Sequence, residues 1–235
     1  MSRSNLLGDN FFMTEPVVPL EITGKELPGE IKSELRTLPE GLASFVAKHL
    51  VAASQFLEND PELSHRHALA AKTGSATRIA AVREVVGVTA YGVGNWALAL
   101  SELQAAKRIS GQIQLLPLIA DCYRALGKPE KSIEILESKE ASKLSVEEYC
   151  ELLLVAAGAR QDQGNIDAAM SLLKNKIMIS GDPAFSAARL RFFYAELAFI
   201  NGDTKTASEW FNRCLELDAS DELGAVEMLK RIKNV

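Results

Sequence analysis

Three histidines, three cysteines and a few paired acids are the residues of this 235-residue chain with chemistry beyond packing. The histidines are His49, His65 and His67. His65 and His67 stand two apart, so a helix turns them to different sides. No carboxylate completes a ligand set by spacing, and zinc wants three or four convergent ligands, so no metal site is expected. Cys122, Cys150 and Cys214 lie far apart inside helical patterns, with no C-x-x-C, and read as reduced core thiols. Asp121 beside Cys122 does not lower a thiol pKa, and Cys214 falls at a packing position. The acid pairs Glu147-Glu148 and Asp221-Glu222 fit helix N-termini, where the macrodipole favours negative charge. Phosphate-binding glycine loops and the nucleophile elbow are absent. The expectation is a protein that is not an enzyme, with no catalytic residue and no cofactor.

Composition narrows the partners. The net charge is −5 and aromatics are 6%, without the basic stripe that nucleic acid requires. Val85 to Ser101 is free of charge but broken by Gly94-Asn95, and it falls short of the ~20 apolar residues of a spanning helix. The first residues lack a continuous apolar core of a secretory signal. These features predict a cytoplasmic protein with no membrane and no nucleic-acid partner.

The elements that must position any site repeat along the chain. Turn points at Asp60, Gly94, Gly127, Gly164 and Gly202 are separated by 34, 33, 37 and 38 residues. Such a period predicts stacked helix pairs, because one short pair cannot bury its own apolar face. Repeats are expected near 40–73, 78–110, 112–139, 146–176 and 183–218, with a capping helix over 220–232. Ser145 and Glu148 predict a capping box, and Asp182-Pro183 an N-cap with a first-turn proline. Residues 1–29 form an extended, partly mobile arm instead, since Pro16, Pro19 and Pro28 forbid a long helix. Phe11, Phe12 and Met13 are costly to leave in water, so the arm either docks on the helices or crosses to a second copy.

Alignment on the turns exposes a rule. Seven residues before each turn stand Ala53, Gly87, Ala120, Ala157 and Ala195, and five after stand His65, Ala99, Ser132, Ala169 and Ala207. Small side chains let helix axes approach to ~8–10 Å. Nine after each turn comes an apolar plug: Leu69, Leu103, Leu136, Leu173 and Phe211. This grammar resembles the tetratricopeptide repeat (TPR), most closely over 120–127, and from Gly202-Asp203 through Ala207 and Phe211 to Leu217-Asp218. The layout is also similar to small bacterial TPR proteins of unassigned function that carry an N-terminal arm.

The resemblance implies an all-α, right-handed helical solenoid of about five helix pairs plus a C-terminal capping helix. It also implies that first helices line a concave groove, with ligand-facing positions three, six, ten and thirteen residues before each turn. The candidate groove residues are Glu84, Tyr91, Asp121, Arg124, Gln161, Arg189, Phe192, Glu196 and Phe199. The first unit would add Leu50, Ser54 and Leu57. Leu50, Ser54, Glu84 and Val88 replace the Lys and Asn of the family members that clamp chaperone tails, so that activity is not implied. The implied function is an adaptor binding a peptide or helical segment of another protein. The alternative is a self-associating scaffold, a homo-oligomer held by its arm or helix faces.

Overall fold

The structure, a computed structural model, describes residues 15–177 and 184–234. It holds twelve α-helices and, among the described residues, no strand. The fold is all-α and built from helix pairs of the TPR kind. The chain divides into two compact units, 1–94 and 95–235.

The first unit contains α1 (Gly29–Leu35), α2 (Glu40–Phe56), α3 (Pro61–Ala71) and α4 (Ala80–Gly92), with a 3-10 turn over Gly74–Arg78. Pro39 precedes α2, where its missing N–H removes no helical bond. Asp60 caps α3 by accepting the Leu63 amide at 3.0 Å. α2 pairs with α3, and α4 packs on both. Val46, Leu50, Val51 and Val82 form the core, joined by Ile22 and Leu27 from the segment before α1. That segment approaches α2 so closely that a Cβ on Gly24 would stand 2.9 Å from the Ala47 Cβ. Gly24 also has φ +83°, so glycine is required there twice over. Part of the arm is therefore docked, while Phe11, Phe12 and Met13 lie outside the described residues.

The second unit contains α5 (Trp96–Ser110), α6 (Leu116–Ala125), α7 (Pro129–Leu136), α8 (Val146–Asp162), α9 (Ile166–Ile177), α10 (Ala184–Ile200), α11 (Thr204–Leu215) and α12 (Ala225–Lys233). Helices α5 to α12 pack on their neighbours in chain order, and the first helices also meet, α6 with α8 and α8 with α10. Gly127, Gly164 and Gly202 close the hairpin turns with φ of +70°, +74° and +82°, values costly for any residue with a Cβ. Asn165 and Asp203 follow two of these turns and cap α9 and α11. Small residues meet as expected: the Ser132 hydroxyl donates to the Ala120 carbonyl at 2.5 Å across the α6–α7 hairpin. Ala157, Ala169, Ala195 and Ala207 are fully buried. So are the plugs Leu173 and Phe211, whereas Leu136 is half-buried.

Three expectations shift. Asp60 is not the counterpart of the turn glycines but of the capping residues after them, so the first repeat is displaced by one. Ser64, not His65, is then its small residue, and its hydroxyl donates to the Ala53 carbonyl at 2.6 Å. Leu50 lies in the core at 1% exposure, away from any ligand. The capping helix begins at Ala225 instead of 220, because Asp218 first turns the chain by accepting the Glu222 and Leu223 amides. The capping box at Ser145 and Glu148 forms as read, while Asp182-Pro183 lies outside the described residues. Helix α9 runs through Lys176 to Ile177, and the rest of the connector after it also lies outside them.

Candidate functional site

Seven of the nine candidate groove residues lie on the first helices of the second unit: Asp121 and Arg124 on α6, Gln161 on α8, and Arg189, Phe192, Glu196 and Phe199 on α10. All seven are half-buried. The two arginines find partners on the adjacent first helix. Arg124 donates through Nε to Asp121 at 2.8 Å and through Nη1 to Asp162 on α8 at 3.4 Å. Its guanidinium rests on Gly158, where a Cβ would stand 3.0 Å from Nη1. Arg189 on α10 donates to Glu151 on α8. The face is thus stitched from helix to helix by arginine–carboxylate pairs, with the Arg124 and Arg189 side chains still 34% and 37% exposed. The aromatic members lean inward. Phe192 meets the buried Phe211 edge-on at 5.2 Å between ring centroids.

Glu84 and Tyr91 belong to α4 in the first unit. Both are half-buried and already have interaction partners.

The other residues with chemistry are buried. Burial, with the acidic neighbour Asp121, pushes the Cys122 thiol up to about 12, and burial with Asp218 pushes Cys214 up to about 11. Thiols held so high are inert at neutral pH. His65 and His67 do turn to different sides: His65 faces Thr89 on α4 and His67 faces His49 on α2. Among the described residues no three His, Cys, Asp or Glu side chains converge as a metal site. No described helix is long and apolar enough to cross a membrane.

Residues 188–221 match the tetratricopeptide repeat family model. The match takes in most of α10, the Gly202 turn, α11 and the Asp218 turn. No curated protein matches the chain. The tetratricopeptide repeat is a protein-interaction module, typically non-catalytic.

The last first-helix face, on α10, is partly covered. Arg231 of α12 places its guanidinium 5.9 Å from the Phe199 ring centroid. Burial pushes the Glu196 carboxyl up, and the Arg231 charge counters it. Sequence reasoning missed Asp162, Gly158 and Arg231. The usable signal was opposite charge one repeat apart, since Arg124–Asp162 and Glu151–Arg189 are each separated by 38 residues. It also missed a cavity of about 710 Å³ between α5, α6 and α7, lined by Gln104, Leu116, Ile119, Tyr123 and Ile135. The Lys107–Glu140 pair, at 2.7 Å, closes one rim.

Proposed function

We propose that this protein is a non-catalytic, cytoplasmic interaction module. It takes a peptide segment of another protein along α6, α8 and α10 of the second unit. The observation that carries this reading is the row of arginine–carboxylate pairs between adjacent first helices. Exposed pairs of this kind contribute only about 0–1 kcal/mol, so a carboxylate on an incoming segment displaces the internal one at little cost. The planar guanidinium then holds the newcomer by two bonds. Phe192 and Phe199 border the row and offer apolar area to the same segment.

The test is a fluorescence-polarisation screen of acidic peptides against the whole chain. Arg124→Ala combined with Arg189→Ala is expected to weaken captured peptides at least about tenfold, the order of one charge-assisted hydrogen bond, while the urea midpoint barely moves. Equal affinity in the double variant removes the first-helix face from the account.

A second reading is self-association through the arm. Val17 and Leu20 are 90% and 101% exposed, unusual for large apolar residues on a docked segment. Light scattering of Val17→Asp with Leu20→Asp should show a smaller particle than the parent chain. Equal masses dispose of it. Deleting 1–29 is the poorer experiment, since Ile22 and Leu27 belong to the core.

A further inference from the structure

His49 and His67 sit between α2 and α3 at 1% and 0% exposure, their Nδ1 atoms 3.0 Å apart. His49 Nε2 lies 3.3 Å from Glu15 Oε1 on the docked N-terminal segment. Phe45 flanks the first ring at 4.4 Å, and Phe56 stacks on the second at 5.6 Å and 13°. His67 Nε2 is buried and, among the described residues, has no hydrogen-bond partner.

Proton placement follows from these contacts. An ionised Glu15 only accepts, so His49 Nε2 carries a proton and donates it. Neutral His49 then presents a bare Nδ1, which accepts from the Nδ1–H of His67. Neutral His67 is left with a bare Nε2, the atom that has no partner. The closed chain therefore runs His67 Nδ1–H to His49 Nδ1, and His49 Nε2–H to Glu15.

One further proton has no good place. Put on His49 Nδ1, it forces the shared proton of His67 onto Nε2. Put on His67 Nε2 directly, it ends at the same atom. Every form that carries the extra proton on either ring thus buries an N–H against Phe56 with nothing to accept it, a costlier state than a bare lone pair.

We propose that Glu15, His49 and His67 form a proton-operated latch on the α2–α3 seam, closed by two shared protons and opened by the uptake of one more. The charged groups facing the pair are Glu15 from the N-terminal segment and Arg66 from α3. Arg66 opposes proton uptake and Glu15 favours it at the outer ring only. α4 presents Thr89 to His65, a separate contact. Desolvation, the His49 charge and Arg66 together bring His67 down to about 4. A cavity of about 340 Å³ bordered by Glu15, Pro16, Phe45 and Arg66 lies at the outer end of the chain.

Histidine NMR and hydrogen exchange on the full chain test this. At pH 7.5 the expected tautomers are Nε2–H for His49 and Nδ1–H for His67. Exchange protection of α2 and α3, corrected for intrinsic rates, should fall below about pH 6, His67 contributing up to about tenfold per pH unit on top of the shares of His49 and His65. His67→Phe keeps the stack on Phe56 and should flatten that slope, and Glu15→Gln should alter the His49 tautomer. Equal slopes in the parent and His67→Phe would overturn the latch. If His67→Phe does not fold, the parent chain decides alone: His67 charging at full protection of α2 and α3 also overturns it.

Discussion

Between pH 7 and pH 4 the first unit is expected to lose about 3 kcal/mol of stability through His67 alone, while the second does not lose stability in that window. His67 titrates near 6.5 when unfolded and at about 4 when folded. A base with a depressed folded pKa leaves the unfolded chain binding more protons between those values, so stability is complete above about 6.5 and drains as pH falls toward 4. Two and a half pH units at 1.36 kcal/mol each give the figure, less the part already lost at pH 7. Burial also lowers His49 and His65, so both act in the same direction. All three histidines of the chain lie in the first unit. In the second unit the Glu196 carboxyl is raised by burial, and a raised acid adds stability as pH falls through its folded pKa. Asp203 and Asp218 are lowered by the amides they cap, and their contribution is lost only below about pH 4. Both tryptophans, Trp96 and Trp210, report the second unit, and hydrogen exchange over α2 and α3 reports the first. Equal urea midpoints for α2 and α3 at pH 7 and pH 4.5 would refute the burial of the histidine pair.

How much of this was legible depends on distance along the chain. The turn glycines and the Ser145–Glu148 box are local devices, in which a backbone or side chain answers a partner within a few residues. Sequence reads them because one turn contains the whole interaction. The alanine positions were legible for another reason: a close helix crossing admits few side chains, and the crossing recurs. The first repeat slipped because Asn59-Asp60 has no glycine, so a capping aspartate passed for a turn residue. His65 then looked like an irregular small position, when Ser64 holds that place and His65 reaches α4. The Glu15–His49 contact spans 34 residues and joins an extended segment to a helix, a pairing that no periodicity encodes. The candidate face was chosen residue by residue, so the helices that carry it were legible and the pairing of its arginines with Asp162 and Glu151 was not. Charges on one helix are assigned to an imagined ligand until the next helix is placed beside them.

Phe211→Ala is expected to cost the second unit about 3–5 kcal/mol, the usual range for truncating a fully buried phenylalanine. Phe211 is 0% exposed and shares its core with Leu173, Leu190 and Leu197, and its ring takes the edge of Phe192. Removing the ring loses its transfer free energy and leaves a hollow between α10 and α11 that neighbours fill only by moving. Ala195 and Ala207 hold the two helices close, and neither carries atoms with which to refill it. The cost therefore belongs at the upper end of that range, because the crossing is rigid. Urea denaturation followed by Trp210, which is 8% exposed and meets Tyr194 at 5.3 Å, reads that cost directly. Lys230→Ala serves as the reference, because its pair with Glu227 is 66% and 69% exposed and contributes little. A Phe211→Ala midpoint equal to that of Lys230→Ala would mean that α10 and α11 are not locked by this plug. The face beside it would then be too soft to hold Arg189, Phe192 and Glu196 in fixed register for a ligand.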